Sequence, residues 1–192
     1  MGKTAFRVLA AAAVTALGLA PGVASAATAG PTVLAYSSGG PGGSDPDTTV
    51  TFSVTTGALS MSAPVSASLG SGAPGTTING SMGAVAVTDD RALLTASWTA
   101  TASSTAWTTG GATPSETIPA TDVGYNPGSI TTTGTITATG TPITLASTPA
   151  PVVAGTSGVG NNTATWNPAI AVTVPAAAVG GTYTGTVTQS VS

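Results

Sequence analysis

The chain has no cysteine and no histidine, and its only lysine is Lys3. Charged residues make up 5% of its 192 positions and aromatic residues 4%. Each scarcity excludes something. Without cysteine there is no disulfide, no thiol chemistry, no lipidated cysteine and no zinc site built on thiolates. Without histidine, or a lysine beyond position 3, the Ser-His-Asp, Cys-His and Ser-Lys arrangements of nucleophilic catalysis cannot form. A pair of carboxylates is the remaining catalytic route. Asp89 and Asp90 are adjacent, so an extended segment points them to opposite sides, and a working pair also needs Asp122 or Glu116 nearby. The chain therefore reads as non-catalytic and without a cofactor. Beyond Arg7 the single cation is Arg91, against Asp45, Asp47, Asp89, Asp90, Glu116 and Asp122. One cation neutralises no row of phosphates and makes no basic patch, so neither nucleic acid nor an anionic membrane surface is the expected partner.

What is present begins with an export signature. Lys3 and Arg7 precede an apolar run from Val8 to Ala20, Pro21-Gly22 break it, and Ala24-Ser25-Ala26 is a small-x-small cleavage site. Residues 1–26 read as a secretory signal peptide, too short and wrongly flanked for a membrane span. No later run is long and apolar enough to cross a bilayer. Residues 27–47, with "SSGGPGGSDPD", read as a flexible Gly/Pro/Ser-rich lead-in. The remaining stretch, 48–192, is of a size for one domain.

Within that stretch the signal has a period of two. "TTVTFSVTTG" sets Val50, Phe52 and Val54 against Thr and Ser, and "AVAVT" brings Val85 and Val87 into register. "LLTASWTATAS" places Leu94, Ala96, Trp98, Ala100 and Ala102 on one face. "SITTTGTITATGT" reads as a further strand-like run, and "TATWNPAIAVTVP" carries Trp166, Ile170, Val172 and Val174. In "GGTYTGTVTQSVS" the row is Tyr183, Gly185, Val187, Gln189 and Val191. Asn79-Gly80 and Asp89-Asp90-Arg91-Ala92 read as turns, Trp107 to Asn126 as loop-rich, and Thr148 to Gly160 as a Pro/Gly-rich connection. Nothing reads as an amphipathic or crossover helix. The expectation is an all-β, antiparallel β-sandwich or barrel-like sandwich in a single domain.

Few side chains carry chemistry. Trp98 and Trp166 lie in alternating apolar rows and read as core, as does Tyr183. Trp107, in "SSTAWTTGG", and Tyr125, in the turn-like "VGYNPG", are candidate exposed rings for a sugar, with a loop plug as the plainer role of each. "SDPD" and "TDD" offer closely spaced oxygens but lack the length and ligand count of a calcium loop, so no metal is expected.

Two stretches together, "AVAVTDDRALLTASWTATAS" and "NNTATWNPAIAVTVPAAAVGGTYTGTVTQSVS", resemble the WxL-domain proteins of Gram-positive cell surfaces. They look most like the WxL-like secreted proteins of actinobacteria. Asp89 and Arg91 match that family's "VTD-x-R" turn. Trp98-Thr99-Ala100 matches the first Trp-x-Leu motif, with Ala for Leu. Gln189-Ser190-Val191 falls on the second, with Gln for Trp and Val for Leu. The resemblance spans about residues 48–192 and implies a domain that closes on its last strand. It also implies secretion and non-covalent attachment to the cell wall through peptidoglycan or a wall glycopolymer, often beside another surface protein. Trp98 and Gln189 then join Trp107 and Tyr125 as candidate binding positions. Gln189 is expected near a sheet edge, where its amide reaches water. Two other readings stay open: a soluble secreted carbohydrate-binding module working through Trp107 and Tyr125, and a β-strand-pairing subunit of an extracellular assembly.

Overall fold

The computed structural model describes residues 48–192. The signal peptide expected over 1–26 and the lead-in expected over 27–47 lie outside the described residues. The described residues fall in two units that part between Ser53 and Val54. Of the first, residues 48–53 are described, exposed and outside any strand.

The second unit is all β, with two three-residue 3-10 turns at Pro114–Glu116 and Ala120–Asp122. Its strands are β1 (Leu59–Ser62), β2 (Thr77–Ser81), β3 (Val85–Ser104), β4 (Trp107–Thr108), β5 (Thr117–Ile118) and β6 (Val123–Asn126). They continue with β7 (Ile130–Thr133), β8 (Thr137–Gly140), β9 (Ile143–Thr144), β10 (Ala150–Trp166), β11 (Ala169–Thr173) and β12 (Val187–Val191). All pairings are antiparallel. One sheet is built on β3 and β10, a second has the order β2-β11-β6-β9, and β4 pairs with β5. Val85, Val87, Trp98, Val153 and Trp166 of the first sheet share a core with Val123, Tyr125, Ile170 and Val172 of the second. This is the sandwich that the alternation predicts.

The first sheet is two half-sheets that share their central strands. β1 and β12 lie along one edge of β3, at residues 86–89 and 100–104, and come within 8 Å of each other. β7 and β8 lie in the same way along the outer edge of β10. Both central strands therefore bend sharply between the halves. The bend holds Ala92 at φ 53°, Ser157 at φ 61° and Gly160 at φ 67°, together with a run of register shifts from Gly155 to Asn162. Bulges of this kind bend a strand and leave groups unpaired. Two buried polar side chains, Asp89 and Asn162, directly opposed in register, take up those groups. Asn162 Oδ1 accepts from the backbone N–H of Thr135 (2.9 Å) and Ile136 (3.1 Å), and its Nδ2 donates to Gly160 O (2.8 Å).

Several expectations are corrected here. Val50, Phe52 and Val54 alternate as a strand should, yet among the described residues no strand pairs with them and they are 81%, 82% and 75% exposed. Leu94 is also exposed, because the bend carries it out of the row that Ala96, Trp98, Ala100 and Ala102 keep. The residues from Asp89 to Ala92 bend one strand and do not join two. "SITTTGTITATGT" is two strands, parted at Gly134 with φ 80°. Asn79-Gly80 lies inside β2, where a Cβ on Gly80 would strike Leu69. The stretch Thr148–Gly160, expected as a connection, is largely β10, one of the two central strands. Pro151 fits there because it sits at a register shift, where no ladder N–H is required.

Candidate functional site

The two motif stretches lie side by side. In the β12–β3 register Gln189 faces Ala102 and Val191 faces Ala100, and Ser192 exchanges backbone hydrogen bonds with Thr99 (2.8 and 3.1 Å). Opposed residues in an antiparallel pair share a face. Trp98, Ala100, Ala102, Gln189 and Val191 thus form one inward-facing patch spread over two strands.

Trp98 is 4% exposed, so it packs the core and presents no ring to a ligand. Its cross-strand partner is Gly155, and a Cβ at Gly155 would collide with the indole. The ring lies across the bare backbone of β10. The signal for this was a glycine 57 positions away, which local pattern reading takes for a breaker.

Gln189 is half-buried on the edge strand, as expected for its amide. Its Oε1 accepts from Tyr125 Oη (2.9 Å), and Tyr125 Oη accepts from Trp166 Nε1 (2.9 Å). The relay runs from β10 through β6 of the opposite sheet and back to β12. Tyr125 itself corrects the sequence reading, being 1% exposed and inside a strand. The turn begins one residue later, where Gly128 N–H bonds Asn126 Oδ1 (3.0 Å). Burial pushes the Tyr125 phenol up to about 12, against the smaller opposing pull of the bond from Trp166. Trp166, 2% exposed, is core as predicted.

Asp89 and Arg91 close the bend of β3. Arg91 Nε and Nη2 each donate to a different oxygen of the Asp89 carboxylate at 2.8 Å, and Nη2 also reaches Ser97 O at 2.8 Å. The Arg91 guanidinium holds the carboxyl below its ordinary range, more strongly than burial raises it. The pair clamps both ends of this bend within one strand, where a turn between two strands was expected. Glu116 is likewise engaged, bonded to the Thr113 N–H (3.0 Å) and hydroxyl (2.7 Å), which hold its carboxyl down.

Trp107 is half-buried on β4, its Nε1 donating to Ser104 Oγ (3.0 Å). Tyr183 is also half-buried, at the core's margin and not within it, with its one hydroxyl proton between Val179 O (3.0 Å) and Ser115 O (3.1 Å). Both rings line an open cleft of about 540 Å³, along with Leu69, Ile78, Val174 and Val179. A smaller cavity of about 160 Å³ continues it past Trp107 toward Val187. Trp107 and Tyr125 do not form a common aromatic platform, because Tyr125 is inside.

The outer face of the first sheet is rich in hydroxyls. Ser60, Thr88, Thr163 and Thr133 stand in register across β1, β3, β10 and β7. The hydroxyls of Thr133 and Thr163 bond at 2.6 Å, and in the other half-sheet Thr101 and Ser190 bond at 2.9 Å. Among the described residues no group of three or more acidic or histidine side chains is placed to hold a metal, and no helix is long and apolar enough to cross a membrane. No family model, no curated protein and no solved structure matches the chain.

Proposed function

We propose that this chain is a secreted, non-catalytic β module held non-covalently on a Gram-positive cell wall, through peptidoglycan or a wall glycopolymer. The observation that carries the reading is the adjacency of the two motif stretches on β3 and β12, with the Asp89–Arg91 clamp beside them. The resemblance relates these separate stretches, and in the fold they make one structural unit. The motif side chains act from within, shaping the sandwich. Contact with the wall falls to the neutral, hydroxyl-bearing outer face of the first sheet. Rows of Ser and Thr across each half-sheet match the donors and acceptors of a polysaccharide without needing charge. The engaged carboxylates of Asp89 and Glu116 favour the non-catalytic half of the reading, since both are bound to structural partners.

The test is sedimentation of the purified protein with isolated sacculi, with and without attached glycopolymers. Saturable co-sedimentation, reversed by denaturant, is the expected result. Recovery entirely in the supernatant in both cases overturns it.

A further inference from the structure

Among the described residues, an exposed alternating segment and an open cleft both lack a partner. Residues 49–56 carry Val50, Phe52 and Val54 in strand register, lie outside any strand and make no backbone–backbone hydrogen bond among the described residues. The cleft has the matching features. Its floor is apolar, with Trp107, Ile78 and Val174. One wall is formed by residues 64–72, which are also outside any strand and free of backbone–backbone hydrogen bonds among the described residues. The other runs along the final segment from Val179 to Val187. A backbone with unused donors and acceptors beside an apolar floor is what an added strand requires.

We propose that the cleft receives residues 49–56 of a second copy of this chain, so that two copies exchange arms reciprocally. Three observations select this occupant. The lengths agree, since the unpaired nine-residue wall 64–72 accommodates an eight-residue arm. The chemistry agrees, since neither the arm nor the cleft lining carries a charged side chain, and the arm's apolar row meets an apolar floor. The area agrees as well. Covering three side chains that are 81%, 82% and 75% exposed on each of two arms, with the walls they meet, removes roughly 1,500 Å² of surface, the size of a standard stable interface. Reciprocal exchange closes the assembly at two copies and leaves no arm free to extend it. The pairing is separate from wall attachment, which falls on the outer face of the first sheet.

The experiment is mass measurement by light scattering on protein expressed from the full-length chain, over about 1–100 µM. Phe52→Asp tests the arm and Val179→Asp the cleft rim, and each is followed by thermal unfolding. The expected result is a two-copy mass for the parent protein and a one-copy mass for each variant, with each variant still unfolding in one cooperative transition. Both positions are exposed, so neither change should unfold the sandwich. A one-copy mass for the parent protein at every concentration overturns the proposal, whether the arm lies in its own cleft or a soluble glycan fills it. A two-copy mass that survives either substitution overturns it too. Sacculus sedimentation of the monomeric variants, expected to persist, keeps failure of this pairing apart from failure of wall attachment.

Discussion

Trp98 and Gln189 belong to one inward-facing patch on neighbouring strands, and they are held by opposite means. Trp98 is held by shape: a large ring seated on a glycine and 4% exposed, its indole making no hydrogen bond to the described residues. Gln189 is held by polarity: an amide on an edge strand at the end of a relay from Trp166 through Tyr125. The difference follows from position. β3 is paired on both edges over residues 100–102, so its inward side chains must fill space in a dry core. β12 has β3 on one edge only, so an amide there is tolerated once one acceptor is satisfied inside.

The sharpest way to break the comparison is at Trp98. Trp98→Ala should cost about 3–5 kcal/mol of stability by leaving a cavity over Gly155. Gly155→Val should cost about 3 kcal/mol by driving a side chain into the ring. Because both act on the same space, the double variant should cost clearly less than the sum, a coupling that denaturant unfolding of the four proteins measures.

The Asp89–Arg91 clamp comes next. Asp89→Ala should cost about 3 kcal/mol, since it strips a partner from Arg91 and unpins the bend. The pH dependence has a definite sign. The carboxyl of Asp89 is lowered in the fold, so its contribution is complete above the unfolded value of about 3.9 and is lost as pH falls through the folded one. Acid titration of stability should therefore be steeper for the parent protein than for Asp89→Ala. Glu116, also lowered, is common to both and cancels in the difference.

Tyr125 gives an effect at the other end of the scale. Its phenol is raised to about 12, so the neutral form is favoured in the fold. That stability is complete below the unfolded value of about 10 and should decline by about 2–3 kcal/mol as pH rises through the folded value. Ultraviolet titration of tyrosinate should show one ionisation delayed to the unfolding transition, absent in Tyr125→Phe.

These contrasts also explain what the sequence let be read. The row Tyr183 to Val191 alternates inward and outward as its pattern says, because an edge strand with one covered face obeys local periodicity. The same rule failed for Val50, Phe52 and Val54, because alternation specifies a face and not the presence of something to cover it. It failed for residues 150–160 because glycine in a strand is read as weakness, whereas Gly155 is required by a ring on another strand. Tyr125 was misplaced because Asn126-Pro127-Gly128 is a strong turn signal, and the strand ends only one residue past the ring. Of the site, the change of direction at Asp89 and Arg91 was legible from a turn-like run. The relay through Tyr125 was not, since it joins residues 41 and 64 positions apart.

The smallest effect is the one that separates a relay from two independent bonds. Gln189→Leu should cost about 1 kcal/mol, because the amide sits on an edge strand and its loss leaves only the Tyr125 proton without an acceptor. Tyr125→Phe should cost about 2 kcal/mol, because it removes the acceptor of the buried Trp166 N–H and the donor to Gln189 together. If the three groups act as a chain, Gln189→Leu should cost nearly nothing in the Tyr125→Phe background, since the bond it breaks is already gone. A double-mutant cycle by chemical unfolding reads that difference. Full additivity would mean that Gln189 stabilises β12 through its packing on the core, and that the hydrogen bond contributes no net energy.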